Sequence, residues 1–387
     1  MKIAFDAKRI FQNRTGLGNY SRTLVSSLSK NFPNNEYYLY APKKTSLFNP
    51  EEFSKMQWIG PKRFLSKLLP AIWRSRWVSK DITTNKIDIY HGLSHEIPYG
   101  IEHTNTKTVV TIHDLIFERY PKQYNPIDIL IYRKKFKNAC KHATHIIAIS
   151  EQTKNDIIDF YKIDSKKISV CYQSCNDAFF EKLEIDNNKF LKNKYELPSS
   201  YFLYVGSIIE RKNLLSICKA MLLIEKKDRI PVVIIGKGKK YMKKVKAYIH
   251  DNGLEEAFYF LNENDRINHQ PNFLSNEDLA EIYRSALALI YPSIFEGFGI
   301  PILEAMAVGT PVITSAISCM PEVGGDAVLY TNPFDENDLA NKMISLIQHP
   351  SLRNEFSIKG KAQAQKFTSK KCAEDVMNVY LNLQHAY

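Results

Sequence analysis

The sequence contains no long apolar run. Nowhere does it approach the roughly 20 consecutive apolar residues of a membrane-spanning helix, and residues 1–10 (MKIAFDAKRI) carry charges too often for a signal peptide. Low-complexity tracts and internal repeats are also missing, which argues against a disordered or repeat protein. We therefore expect a globular, cytoplasmic protein.

Metal and disulfide patterns are missing as well. The six cysteines include no C-x-x-C pair and no histidine at zinc spacing, and no Asp-x-Asp pair follows a strand. This favours reduced thiols that serve as packing residues, and we expect neither a bound metal ion nor a cofactor. The cysteines are Cys140, Cys171, Cys175, Cys218, Cys319 and Cys372.

Acidic residues are fewer than basic ones. The 387 residues carry 41 Asp and Glu against 53 Lys and Arg, a formal net charge of +12. Such an excess favours an anionic partner, which could be nucleic acid, a membrane surface or a phosphorylated substrate. Nucleic acid fits less well, because no zinc-finger, RNA-binding-sheet or helix-turn-helix signature accompanies the charge. The length is comfortable for two domains with real cores.

Residues 294–313 (IFEGFGIPILEAMAVGTPVI) predict a glycine-broken loop that leads into a helix. Pro301 suits the first turn, and Gly309 with Pro311 ends the helix. The unpaired N–H groups of such a helix N-terminus suit an anion such as a diphosphate. Glu304 alone could simply favour the helix dipole, but Glu296 adds a second acceptor for sugar hydroxyls. Together they indicate a nucleotide-sugar site.

The segment FEGFGIPILEAMA, in which Glu296 and Glu304 are eight residues apart, resembles the donor-site signature of retaining glycosyltransferases of family 4, which have the GT-B fold. The resemblance implies two Rossmann-like, doubly wound parallel-sheet domains that face each other across a cleft. It places the nucleotide sugar in the C-terminal half and the acceptor in the N-terminal half. Within this segment the implied donor-binding residues are Glu296, Gly297, Phe298, Gly299, Ile300 and Glu304.

Apolar segments alternate with helical ones along the whole chain, which predicts an α/β fold with parallel sheets. The expected strands are 3–5, 37–40, 87–90, 108–112, 145–149 and 168–171, then 201–205, 232–235, 258–261, 287–291 and 312–313. The polar stretch near 180–200 marks the domain boundary. We expect an N-terminal domain at 1–180, a C-terminal domain at 181–365, and a last helix at 366–387 that returns to the first domain, as in GT-B enzymes.

Polar residues that follow strands of the first half are candidates for the site. Gly16 and Gly18 form a glycine loop that is weak evidence alone but matches the family's loop near the donor phosphate. A histidine after a strand is more often a local hydrogen-bonding residue than a catalyst. His113, in TIHDL, resembles the family histidine that faces the sugar. His91, His95 and Glu96 either shape an acceptor pocket or cap their loop, and Ser150 with Thr153 predicts a helix N-cap.

Two adjacent cations follow the first strand of the second half. Arg211 and Lys212, after Gly206, resemble the phosphate-binding turn of family 4 enzymes, although Ser207 stands where many members have an arginine. Such cations suit a diphosphate. Phe273 and Leu274 follow a long polar loop, 262–272, and precede a predicted helix, and by resemblance they contact the nucleotide base.

Residues 61–80 mix six cations with Phe, Leu, Ile and Trp, and contain no acidic residue. The mixture suits a basic amphipathic surface resting on anionic lipid at the inner membrane face, or equally a helix packed on the sheet with solvated Lys and Arg. Pro70 predicts two short helices rather than one.

These features together predict a retaining, metal-independent glycosyltransferase whose catalytic residues are His113, Glu296, Arg211 and Lys212. The resemblance to bacterial enzymes of surface-polysaccharide synthesis favours mannose from GDP-mannose and a glycan or lipid-linked acceptor. A nucleotide-sugar epimerase or a phosphorylase of the same fold is the enzyme alternative. A basic protein that binds polyanions or membrane surfaces is the alternative of another class.

Overall fold

The computed structural model describes residues 1–181, 193–266, 268–269 and 273–385. The chain forms two compact units, one of Met1–Cys175 with Thr368–Tyr387 and one of Asn176–Phe367. The sequence-based boundaries were placed after residues 180 and 365. Most of the polar boundary segment, 182–192, lies outside the described residues, as do positions 267 and 270–272 of the polar loop.

The first unit is built on a parallel sheet of seven strands in the order β3-β2-β1-β4-β5-β6-β7. The strands are β1 Lys2–Asp6, β2 Glu36–Tyr40, β3 Met56–Ile59, β4 Ile89–Gly92, β5 Lys107–Ile112, β6 His145–Ala148 and β7 Ile168–Val170. The central strands β1, β4 and β5 are almost entirely buried, because helices cover both faces of the sheet. Strand order reverses between β1 and β4, which is where ligands bind in doubly wound sheets.

Helices of the first unit include a C-terminal one that completes its core. Ser369–His385 packs against Gly16–Asn31, and its buried face includes Val376 and Tyr380. The other helices are Lys8–Gln12, Phe64–Leu68, Pro70–Ile72, Val78–Thr84, Ile116–Arg119, Pro126–His142 and Glu151–Tyr161, with a π-helical turn at Trp73–Trp77. Ser150 caps Glu151–Tyr161 by accepting a hydrogen bond from the Thr153 N–H at 3.0 Å, as predicted.

The second unit has a parallel sheet of six strands in the order β10-β9-β8-β11-β12-β13. Its strands are β8 Phe202–Val205, β9 Val232–Ile235, β10 Phe258–Phe260, β11 Ala288–Tyr291, β12 Val312–Ser315 and β13 Leu329–Thr331. Its helices are Leu214–Leu222, Lys240–Asp251, Asn276–Ser285, Ile300–Val308, Met320–Gly324, Glu336–Gln348 and Pro350–Ala364. The switch of strand order lies between β8 and β11.

The predicted class, two Rossmann-like α/β domains with parallel sheets, is confirmed. Two edge strands, β3 and β13, were not predicted. The third predicted strand was placed two residues too early, so His91 lies inside β4 and not after it. All six cysteines are buried free thiols. In the described part of the chain, no helix combines the length and hydrophobicity needed to span a membrane.

Candidate active site

The loop between β11 and the helix Ile300–Val308 places Glu296 at the switch point of the second sheet. Gly299 ends this loop with a φ of 98°, a left-handed conformation that other residues adopt only with strain. Pro301 then lies in the first turn, where its missing N–H has no cost. The local sequence therefore produces the predicted loop and helix N-terminus.

Glu296 joins the two cations predicted from the neighbouring strand. Its Oε1 lies 2.9 Å from Arg211 Nη1 and 2.9 Å from Lys212 Nζ, and it accepts a hydrogen bond from Ser293 Oγ at 2.8 Å. Arg211 also donates to the carbonyl oxygen of Phe295. These groups meet because β8 and β11 are adjacent, so the turns that follow them share one edge of the sheet.

Burial and charge act in opposite directions on this cluster. Burial alone would raise the pKa of Glu296, but Lys212 and Arg211 hold it at about 2. Burial lowers the pKa of Lys212, which Glu296 partly offsets, and Lys212 also donates to Tyr291 Oη at 2.6 Å. One carboxylate facing two cations leaves a local excess of one positive charge, which suits an anionic ligand.

Gly206 provides the space that Lys212 occupies. A Cβ on Gly206 would lie 2.9 Å from Lys212 Cδ, and its φ is 146°. The glycine therefore lets the lysine stem cross the end of β8 towards Glu296.

Glu304 lies one turn inside Ile300–Val308 and accepts a hydrogen bond from Tyr283 Oη at 2.8 Å. Burial raises the pKa of Glu304 to about 7, because the hydrogen bond from Tyr283 and the charge of Lys212 offset the loss of solvation only in part. The two glutamates of the motif thus differ: Glu296 is firmly ionised, whereas Glu304 titrates near neutral pH.

The remaining donor candidates of the second unit have varied surroundings. Phe298 is buried and packs against the ring of Phe367 at 5.8 Å. Phe273 packs against Tyr195 at 5.9 Å, and the Leu274 N–H donates to Tyr195 Oη at 3.0 Å. Gly297 belongs to the Glu296 loop, and Ile300 is the first residue of its helix.

In the first unit, His113 follows β5 and is buried. Its Nε2 donates to the carbonyl oxygen of Leu93 at 2.9 Å, and its ring lies 4.6 Å from that of Tyr20 and 5.1 Å from that of His95. Burial lowers the pKa of His113 to about 4. Because a carbonyl oxygen only accepts, Nε2 carries the proton and Nδ1 is the acceptor of a neutral ring.

The three acceptor candidates are not equivalent. His91 has no exposed surface, and its two ring nitrogens contact Tyr380 Oη at 2.6 Å and Thr111 Oγ1 at 2.7 Å. The expectation that His91 follows its strand was wrong, and its position within β4 makes it a core residue. His95 is stacked on Phe136 at 4.3 Å, and Glu96 is ion-paired with Arg74 and Lys135.

Gly16 and Gly18 begin the helix Gly16–Asn31. A Cβ on Gly18 would lie 1.9 Å from the carbonyl oxygen of Asn13, so close backbone packing requires this glycine. Gly16 has no atom within 4 Å of such a Cβ and is exposed. The structure thus explains Gly18 by packing and leaves room for a ligand beside Gly16.

Comparisons with known proteins identify the family of this chain. Residues 14–178 match the family described as Glycosyltransferase Family 4, and residues 186–363 match Glycosyl transferases group 1. The O-antigen chain mannosyltransferase RfbU of Salmonella typhimurium is 31% identical over 76% of this chain and 75% of its own. The chain belongs to glycosyltransferase family 4.

Two further proteins match over nearly the whole chain. The O-antigen chain mannosyltransferase B of Escherichia coli is 27% identical, over 98% of this chain and 99% of its own. The crystal structure of a glycosyltransferase from Rickettsia africae has a TM-score of 0.73 at 18% identity, over 100% of this chain and 99% of that one. The latter supports the fold, which is that of GT-B glycosyltransferases.

Sequence reasoning missed several residues of this glycosyltransferase's candidate site. Tyr291 and Ser293 contact the charged cluster, Tyr283 holds Glu304, and Ser318 Oγ donates to the carbonyl oxygen of Glu296 at 2.9 Å. Tyr291 and Ser293 could have been predicted, since Tyr291 is the last residue of β11 and Ser293 lies between this strand and Glu296. Within the ranges described, no three His, Cys, Asp or Glu side chains converge as metal ligands.

Proposed function

We propose that this glycosyltransferase moves mannose from GDP-mannose to a glycan or lipid-linked acceptor in surface-polysaccharide synthesis, with retention of the anomeric configuration and without a metal ion. The two curated relatives described above are named O-antigen chain mannosyltransferases, which supports the sugar and the pathway. The proposed place of action is the cytoplasmic side of the inner membrane.

The Arg211, Lys212 and Glu296 cluster is the observation that supports transfer from a nucleoside diphosphate. The donor's C1–O bond breaks as negative charge develops on the diphosphate. Arg211, Lys212 and the N-terminus of Ile300–Val308 would stabilise that charge. These groups are fixed before the donor arrives, so little reorganisation accompanies the reaction.

The other candidate residues would hold the donor. Glu296 would accept hydrogen bonds from sugar hydroxyls, and Glu304 would accept them from the ribose. His113 would accept one from the sugar through Nδ1, since Nε2 is engaged by Leu93. The acceptor hydroxyl would then attack C1 from the face that the diphosphate leaves, with its proton passing to a phosphate oxygen of the leaving group.

Thermal-shift measurements on the purified protein, with a panel of GDP- and UDP-sugars, test the donor. A donor at one hundred times its dissociation constant stabilises the folded state by about 2.7 kcal/mol. We expect GDP-mannose to give the largest shift, and NMR of the product's anomeric proton to show retention. A shift with UDP-sugars alone would show that GDP-mannose is not the donor. A product of inverted anomeric configuration would overturn the retaining mechanism.

A further inference from the structure

A group of charged side chains lies at the carboxyl ends of β1 and β4, at the switch point of the first sheet. None of its members belongs to the family motifs described above, and only Glu96 was an acceptor-binding candidate. They are Asp6, Lys8, Arg9, Arg74, Glu96 and Lys135, and we call them the β1/β4 charged cluster.

Both carboxylates of the cluster are already neutralised within the first unit. Arg74 lies 2.5 Å from Asp6 Oδ2 and 2.7 Å from Glu96 Oε2, and Lys135 Nζ lies 3.1 Å from Glu96 Oε1. Burial would raise the pKa of Glu96, but these two cations lower it below its usual value. Arg74 and Lys135 therefore neutralise the negative charge of the cluster.

Lys8 and Arg9 are the cations left over. Both are half-buried, and in the described part of the chain neither Lys8 Nζ nor the Arg9 guanidinium makes a hydrogen bond or ion pair. Burial lowers the pKa of Lys8, and Arg74 and Arg9 lower it further, whereas Asp6 and Glu96 raise it in part. Burial is the main cause of the lowered pKa values of His95 and His113, and the charge of Arg9 lowers both further, which indicates that Arg9 is close to both rings.

Lys8 and Arg9 are half-buried cations whose charge is offset only in part, because the two carboxylates of the cluster are already paired with Arg74 and Lys135, so a bound anion would stabilise them. Four cations in the cluster face two carboxylates, so its excess is two positive charges, the charge of an ionised phosphate monoester or of a diphosphate diester. An adjacent Arg and Lys bind such a group with charge-assisted hydrogen bonds. The second unit has its own pair, Arg211 and Lys212, at the donor motif.

We propose that Lys8 and Arg9 bind a phosphate or diphosphate group carried by the acceptor, beside His113. The proposal that this phosphate belongs to the acceptor rests on the proposed function. The donor's diphosphate is the other source of the same chemistry, and the experiment separates the two.

Direct binding is the first arm of the test. A short alkyl diphosphate is titrated calorimetrically into the full-length Lys212→Ala variant, which lacks one of the two donor-side cations and therefore binds the probe more weakly at the donor motif. Adding Lys8→Gln and Arg9→Gln should weaken binding at least about tenfold, since each lost charged hydrogen bond typically lowers affinity by that factor or more. The matched control adds Lys2→Gln and Lys30→Gln, two partly or fully exposed lysines of the same unit, the first at the amino end of β1. Equal binding by both variants would overturn the proposal.

Kinetics form the second arm. Two acceptors are compared that carry the same glycan, one with an alkyl diphosphate aglycone and one with a neutral alkyl aglycone. For the diphosphate acceptor, the KM of the Lys8→Gln/Arg9→Gln variant should be about tenfold or more above that of the wild type. KM for the neutral acceptor should rise much less. A fall in nucleoside-diphosphate affinity would instead assign these cations to the donor and overturn the proposal. If the wild type transfers no sugar at all, the proposed function fails, while the binding arm still decides whether the site exists.

Discussion

At the scale of single residues, Lys212 shows how one side chain can serve both the resting site and the reaction. Its Nζ neutralises Glu296 at 2.9 Å and donates to Tyr291 at 2.6 Å. We propose that, when a diphosphate binds, the charges of Lys212 and Arg211 both become available to the ligand. Ser207 stands where the resemblance to family 4 places an arginine in many members, so we expect this pair to carry more of the neutralisation.

We expect Lys212→Ala to lower kcat on the order of a hundredfold or more, as for the loss of one charge-stabilising donor. Lys212→Arg should recover part of that loss, because it restores the charge with a different geometry. Steady-state kinetics would measure both. Lys237→Ala is the matched control, since Lys237 is an exposed cation after the neighbouring strand β9. Turnover by Lys212→Ala within threefold of wild type would remove Lys212 from the mechanism.

Glu304 predicts a pH dependence for nucleotide binding. Its pKa of about 7 means that it is largely protonated at pH 6 and ionised at pH 8. Ribose hydroxyls donate to the ionised form more strongly, so calorimetric affinity for the nucleotide should rise across this range. Glu304→Gln should show weaker binding with a flatter profile, and an unchanged profile would remove Glu304 from the ribose site.

The same pKa gives a second, independent readout. Since the folded-state pKa of Glu304 is raised from 4.5, the folded protein binds a proton that the unfolded chain has lost, and stability falls between pH 4.5 and about 7. Above that range the penalty is complete, up to roughly 3 kcal/mol by the usual conversion of pKa into free energy. Glu304→Gln should therefore raise the unfolding midpoint more at pH 8 than at pH 5.5.

The sequence predicted Glu296, Arg211 and Lys212 as site residues, but it did not predict the contacts among them. The glycine-broken loop and the Arg-Lys pair each have a local signature. That Arg211 and Lys212 meet Glu296 depends on β8 lying next to β11, which is a matter of sheet order and not of local pattern. His91 was misplaced for a related reason, because an apolar run does not fix where its strand ends.

At the scale of elements, the missed strands are the edges of the two sheets. Met56–Ile59 exposes Gln57 and Trp58, and Leu329–Thr331 has only three residues, two of them partly buried. Central strands of parallel sheets are apolar on both faces and are therefore visible in the sequence. The edge strands β3 and β13 pair on one side only and lack that continuous run, unlike the edge strands β7 and β10, which were predicted. The pairing of β3 and β13 therefore had to be seen in the structure.

Residues 61–80 are resolved into short elements with an exposed apolar face. Phe64–Leu68 and Pro70–Ile72 are separate, as Pro70 predicted, and Phe64, Leu65 and Leu68 are 79%, 60% and 65% exposed. Trp73 is buried, and Arg74 is committed to Asp6 and Glu96. The segment therefore has an exposed part up to about residue 72 and a packed part after it. A helix packed on the sheet does not explain the exposed apolar side chains of the first part.

We propose that this exposed part docks on anionic lipid, and its substitution should release the protein. Lys62, Arg63 and Lys67 of this part, together with the exposed Arg76 of the following turn, changed to Gln should lower sedimentation with anionic vesicles, by on the order of 1 kcal/mol of binding energy per charge. Arg74 is left intact because its ion pairs are internal. A control with the exposed Lys226, Lys237, Lys239 and Lys240 changed to Gln removes the same charge from the second unit. If the wild type does not sediment with such vesicles, the docking proposal is wrong.

At the scale of the whole molecule, the net charge of +12 includes cations at the switch point of each parallel sheet. Each unit has a pair of neighbouring Lys and Arg residues at the switch point of its sheet, Lys8 with Arg9 and Arg211 with Lys212. Doubly wound sheets place ligands at that point, so both pairs follow from topology.

Such built-in cations lead to the prediction that transfer needs no divalent metal. Negative charge develops on the nucleoside diphosphate as it leaves. This charge is stabilised either by Mg²⁺ or Mn²⁺ bound to carboxylates, or by fixed cations and backbone N–H groups. Glu296 is already bound by Arg211 and Lys212, so it is a poor metal ligand in this state. We expect metal-stripped enzyme in excess EDTA to keep its rate within about twofold, measured as product formed from GDP-mannose. The Lys212→Ala variant should be equally slow with and without Mn²⁺, because an ion without ligands cannot replace the lysine. Activity that vanishes in EDTA and returns with Mn²⁺ would refute this mechanism, whatever the variants do.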